Sequence, residues 1–297
     1  MLLNKRISIA DFFSLIKYDI LLITIYATVI GYFDGYGVFN SIVIPVGVTS
    51  VFGTAVALLL GFRTNQSYDR WWEARTVWGA IVNDSRSLVR QSLLFFKKHH
   101  VDHQHLIERM AVRQIVWCYA LGESLRKLPL SERVKSYVDV HGLSEAKNLP
   151  NALLVEHAND LRTAFDTKMI NEFQQVQLDT TLVKLCDSMG KCERIKNTVF
   201  PKAHSMLIHT IIYVFATMLP FGLPDDFPVV EIVLTIVIPV VFIAIEKTSI
   251  LMQDPFENKP MDTPVTDLAQ TIEINIRQMI GDKEIPQKPA PDKYYIL

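Results

Sequence analysis

The stretch from Ser41 to about Phe96 constrains this chain more than any other. It opens with twenty-two residues, Ser41 to Phe62, that carry no charge. At Arg63 it turns polar without a turn signal: Arg63-Thr64-Asn65-Gln66-Ser67-Tyr68-Asp69-Arg70-Trp71-Trp72-Glu73-Ala74-Arg75, then Trp78-Gly79. At about 1.5 Å per residue the uncharged part spans about 33 Å, enough for a hydrocarbon core of about 30 Å. The pattern predicts one long helix that crosses a membrane, leaves it near Arg63 and continues into water.

The rest of the chain agrees with that division. Half of its 297 residues are hydrophobic (49%), yet it carries 30 basic and 31 acidic side chains. A mean hydropathy of +0.21 is thus a blend of very apolar and very polar blocks, the profile of a membrane protein with a large water-facing part. The near-zero net charge gives no basic face, so nucleic acid is not an expected partner. Cys118, Cys186 and Cys192 have no metal spacing and read as reduced, buried thiols rather than a redox pair. The N-terminal segment lacks a small-residue cleavage site and does not read as a signal peptide.

Taken in order, residues 7–17 read as a short amphipathic helix on the membrane surface, followed by a first span from Asp19 to Phe33. The second span is Ser41 to Phe62. From Arg63 to about Phe200 apolar residues recur at helical spacing, with helices over Leu106–Lys127, Asn151–Asp166 and Lys168–Gly190 and loops at Pro129, Gly142 and Pro150. A third span runs from Ala203 to Leu223 and a fourth from Pro228 to about Ile245. The tail from Gly281, with Pro286, Pro289 and Pro291, should be extended or disordered. The expected fold is all-α: 1–62 as amphipathic segment and spans one and two, 63–200 as cytosolic helical domain, 201–252 as spans three and four, and 253–297 as a cytosolic segment and tail. Lys5, Arg6, Lys17, Arg63, Arg70, Arg194, Lys196, Lys202 and Lys247 fall on one side, while both short connections opposite hold acids only. By the positive-inside rule both termini and the central block are cytoplasmic.

The motif from Leu60 to Arg75, followed by Trp78-Gly79, resembles the signature of the bestrophins in their bacterial form. Asp254-Pro255-Phe256 after the fourth span is similar to the family's Asn/Asp-Pro-Phe landmark. The resemblance covers roughly residues 1–280. It implies a homopentameric ion channel embedded in membrane lipid, with a hydrophobic neck and a second, cytosolic constriction on one axis.

Carried over residue by residue, the resemblance puts the neck at Thr54, Leu58 and Phe62. These positions stand at i, i+4 and i+8, on one helix face over about 12 Å. Such a ring stops ions because an ion stripped of water in an apolar tube loses many kcal/mol of solvation. The threonine departs from the bulkier apolar residue common in relatives and should wet the outer end; Gly53 and Gly61 permit close helix approach. The alternative is that Leu58 and Phe62 face lipid or neighbouring helices. The cytosolic aperture maps to Val176, with a possible slip to Leu178. Glu172 and Asp179 share the face of Val176 and would bracket it with acidic rings that favour cations, or else pair with arginines of neighbouring helices. Arg70-Trp71-Trp72 reads either as a coupling element between subunits or as interfacial anchoring with Arg70 paired to Asp69 or Glu73.

No cofactor, metal site or catalytic residue is expected. After Asp254-Pro255-Phe256, the stretch Glu257-Asn258-Lys259-Pro260-Met261-Asp262 is a poor calcium cage, with two separated acids and a lysine, so calcium activation is not expected. His99-His100-Val101-Asp102-His103-Gln104-His105 reads as a solvated loop, although a membrane-bound metalloenzyme using it with Glu73 or Glu108 is the competing function from another class. A scaffold or sensor is the third. The leading expectation is a channel for monovalent ions, leaning to cations such as sodium on the acids around Val176, with an anion channel of the same architecture as alternative.

Overall fold

The computed structural model of the chain describes residues 9–34, 36–39, 41–42, 44–97, 103–198, 200–223, 228–288 and 295. The described residues are helical almost throughout: α1 (Ile9–Asp34), α2 (Val46–Phe95), α3 (His103–Arg126), α4 (Glu132–Val140), α5 (Leu149–Asp166), α6 (Glu172–Asn197), α7 (Lys202–Met218), a 3₁₀ turn (Pro220–Gly222), α8 (Pro228–Gln253) and α9 (Val265–Ile280).

The long rod is present: α2 is a single helix of 50 residues. It begins at Val46 rather than Ser41 because Pro45, which cannot donate a backbone hydrogen bond, fits only at a helix start and disfavours helical backbone at the residue before it. The expected surface helix and first span are one element. Helix α1 runs without a break from Ile9 to Asp34. The fourth apolar helix continues to Gln253, eight residues past the expected end, so Glu246 lies inside it.

Two compact units make up the chain, one from residues 4–71 with 199–254, the other from 72–198 with 255–297. In the first, α1 and α7 both pack on α8. Its core is aliphatic, with Ile16, Ile23, Val56, Leu60, Ile208, Ile212, Phe215, Leu219 and Ile243 buried together. Among the described residues, three helices (α1, α2 and α8) are long and apolar enough to cross a membrane. Helix α7, with 17 residues, falls short of that measure on its own.

In the second unit α3 is central, packed against α5 and α9, with α5 on α6. Trp78 and Trp117 are fully buried there, and the Trp117 indole N–H donates to the Pro150 carbonyl at 3.0 Å. Where Gly122 of α3 meets α9, a Cβ would lie 2.5 Å from Val265, so only glycine permits this approach. The buried carboxylate Asp160 is paired: it accepts from Arg109 and, at 2.7 Å, from Arg113.

Two boundaries differ from expectation. Helix α6 starts at Glu172, not Lys168, because Lys168 adopts a left-handed φ of 58° and Asn171 closes a capping box with Gln174, each side chain bonding the other's N–H at 2.9 Å. Helices α4 and α9 were not singled out; α4 has only nine residues, and α9 ends on Gly281 at a φ of 73°. Residues 282–288 after the Gly281 turn hold neither helix nor strand, and Lys288 pairs with Asp267 of α9 at 2.6 Å.

Candidate functional site

Burial along the first half of α2 follows the helical period. Thr49, Val56, Leu60, Arg63 and Ser67 are buried, and Gly53 lets the Phe215 ring come within 3.1 Å of where a Cβ would stand. The opposite face is open: Val51, Thr54, Ala55, Leu58, Phe62, Asn65 and Asp69 are exposed. Leu58 and Phe62 are large apolar side chains left 59% and 61% exposed. Thr54 shares this face, but its hydroxyl donates to the Ser50 carbonyl at 2.8 Å. Its one proton is therefore committed to the helix, and less polarity is left for the open face than the sequence alone implied. Gly61 is on the open side, with nothing within reach of a Cβ.

Helix α6 separates the two aperture positions. Two residues on a helix are about 200° apart. Leu178 is fully buried in its unit, whereas Val176 is 66% exposed. Glu172, Phe173, Asp179, Thr180 and Val183 are exposed beside Val176. Neither Glu172 nor Asp179 has an ion-pair partner among the described residues, so the pairing with neighbouring arginines is not found in the subunit. Cys186 lies on this outer face and is exposed, which corrects its reading as a buried thiol; Cys118 and Cys192 are buried. Burial pushes the Cys118 thiol up to about 12, which leaves it unreactive at neutral pH.

Arg63 was counted among the charges that mark a membrane exit. It is instead completely buried. Its Nη1 meets Glu246 Oε1 at 3.2 Å, its Nη2 donates to Ser205 Oγ at 2.9 Å, and Phe200 lies 5.8 Å from the guanidinium. The other Glu246 oxygen stands 2.8 Å from His209 Nδ1. Nearby, the Tyr213 hydroxyl donates to Asp19 at 2.7 Å, and Lys247 approaches Asp19 at 3.8 Å. Sequence reasoning missed this cluster because its members come from four helices. The available signal was the presence of Asp19, Glu246 and His209 in apolar runs, where ionisable side chains are expensive and require partners.

The motif arginine Arg70 reaches Asp254 at 3.7 Å, while Glu73 pairs with Arg194 at 2.5 Å. The loop after Phe256 uses its acids internally. Asp262 is fully buried and accepts from the N–H groups of Glu257 and Lys259, the second at 3.1 Å. Burial holds its carboxyl above the usual range. Glu257 pairs with Lys196 at 2.6 Å, which lowers its own. Residues 98–102 lie outside the described residues, so the histidine run is seen only from His103. Glu108 accepts from Gln104 at 2.8 Å, and no group of three or more His, Cys, Asp or Glu suited to a metal occurs among the described residues.

An open apolar face on a span, a second open face on α6 and buried ion pairs within the bundle fit a membrane protein built to meet other surfaces. The chain belongs to the bacterial/fungal bestrophin family, whose model matches residues 10–278. It is 31% identical over 251 residues to the voltage-dependent anion channel-forming protein YneE of Escherichia coli K12, covering 84% of this chain and 81% of that protein. It is 30% identical over 258 residues to the voltage-dependent anion channel-forming protein RSc3414 of Ralstonia nicotianae, covering 81% and 79%. The fold matches the crystal structure of a bacterial bestrophin homolog from Klebsiella pneumoniae with a TM-score of 0.82 at 25% identity, over 91% of this chain and all of that one. The protein is thus a membrane protein of an ion-channel family and not of an enzyme family.

Proposed function

We propose that the chain is one subunit of a homopentameric ion channel in the bacterial inner membrane, with four spans and both termini in the cytoplasm. The observation that carries this reading is the uncovered Thr54, Leu58 and Phe62 face of α2, which copies around one axis would turn into stacked apolar rings. Val176 forms the cytosolic aperture, since the burial of Leu178 disfavours the other register. Residues 1–62 and 201–252 make the membrane part, 63–200 the cytosolic domain, and 253–297 the C-terminal segment. The permeant ion is read as a monovalent anion, in line with the names of the curated relatives, rather than the cation toward which the acids leaned. One observation favours the cation reading: Glu172 and Asp179 flank Val176 exposed and unpaired among the described residues.

Reversal potentials of purified protein in planar bilayers, under asymmetric potassium chloride, test both. A reversal toward the chloride equilibrium value is expected, and a reversal toward that of potassium reinstates the cation reading. In the latter case Asp179→Asn should move it back toward chloride. Absence of any current sinks the channel itself. Currents should also be the same in millimolar calcium and in chelator, because Asp262 and Glu257 already hold N–H and lysine partners. Activation by calcium would contradict that reading of the loop.

A further inference from the structure

The open face of α2 does not end at Phe62. A helix advances about 100° per residue, so Thr54, Leu58 and Phe62 spread over an arc of about 80°. On the same wheel Asn65 falls about 20° and Asp69 about 60° from Thr54, both inside that arc, whereas Gln66 falls about 40° beyond its edge. Asn65 and Asp69 are exposed, and α2 is one uninterrupted helix through both. Asp69 stands about 10 Å further along the axis than Phe62.

Among the described residues no cation pairs with this carboxylate. Of the nearby arginines, Arg63 is buried against Glu246 and Arg70 reaches Asp254. Asp69 has no hydrogen-bond or ion-pair partner among the described residues. An exposed aspartate in open water needs no explanation. An unpaired one in register with a proposed pore-lining stripe, on a helix whose neighbouring charges turn inward, does.

We infer that Asp69 is a charge-selecting residue of the channel: copies of its carboxylate ring the water-filled mouth just cytosolic of the neck, with Asn65 as the neutral polar step between. The inference rests on the assembly proposed above. A fixed negative ring within about a Debye length of the ion path, about 8 Å at physiological salt, raises the local cation concentration and lowers that of anions. It is a ring separate from any formed by Glu172 and Asp179, and it opposes anion passage in the wild-type channel.

The test compares wild type, Asp69→Asn, Asp69→Lys and the exposed control Glu145→Gln in bilayers under asymmetric potassium chloride. Asp69→Asn should raise the chloride-to-potassium permeability ratio by about threefold to tenfold, and Asp69→Lys further. The change should shrink toward nothing in about 1 M salt, where the screening length falls to about 3 Å. The control should leave the ratio unchanged. Size-exclusion elution matching wild type shows that the variants assemble, as an exposed side chain should permit. Wild-type currents with an unchanged ratio in both Asp69 variants overturn the Asp69 assignment alone. A change that persists undiminished at high salt also overturns it, because it would not be electrostatic. Absence of wild-type current overturns the channel reading and this one together.

Discussion

Replacing Glu246 by alanine should destabilise the subunit by about 3–5 kcal/mol, the range for removing one partner of a buried ion pair. The cost comes from what remains. Arg63 has no exposure at all, its Nε has no hydrogen-bond partner, and Ser205 alone would face its Nη2. A guanidinium cannot shed its proton to escape, as a buried lysine would. Thermal unfolding of the detergent-solubilised protein should show a lower midpoint for Glu246→Ala. The double variant Arg63→Met with Glu246→Leu should recover most of the loss, since a packed apolar pair often replaces a buried ion pair at little cost. If the single variant unfolds at the wild-type temperature, Arg63 is not confined as described.

The second large effect is on flux. Leu58→Ala and Phe62→Ala each remove most of a side chain from the uncovered face of α2. If that face surrounds the ion path, either change widens and wets the neck, and ion flux into liposomes should rise by about an order of magnitude. Alanine at Leu60, two residues from each but buried in the bundle, should lower stability by about 2–5 kcal/mol without that gain, because it opens a cavity instead. Unchanged flux in both neck variants would place the stripe against lipid.

Much of this was readable from the residues. An uncharged run followed directly by a polar, aromatic-rich segment at helical spacing dictated α2, and no proline falls at the change of solvent, where the single Gly61 stays within the helix. The spacing of Thr54, Leu58 and Phe62 placed them on one face, and their common exposure follows from that. Burial inside the folded subunit was not readable. Val176 and Leu178 are both apolar and two residues apart, and it is the packing of α6 on α5 and α3 that separates an open side chain from a buried one. Arg63 was misread for the same reason. Its sequence neighbours suggest a water-facing arginine, while its partners Ser205 and Glu246 lie 142 and 183 positions away. The start of α6 was legible in principle, since Asn171 and Gln174 have the spacing of a capping box, but the apolar period alone carried it back to Lys168.

The polar atoms joining α1, α2, α7 and α8 act like the teeth of a key. Asp19 meets Tyr213 and Lys247, Arg63 meets Ser205 and Glu246, and Thr64 meets Ser249 at 2.7 Å. Sliding any one helix by a single turn, about 5.4 Å, would strand a charge among aliphatic neighbours. These four segments are therefore indexed against one another and travel as a block. Movement that opens a passage is cheapest where no tooth engages: in the side-chain torsions of Leu58 and Phe62, or where one block slips past its neighbour.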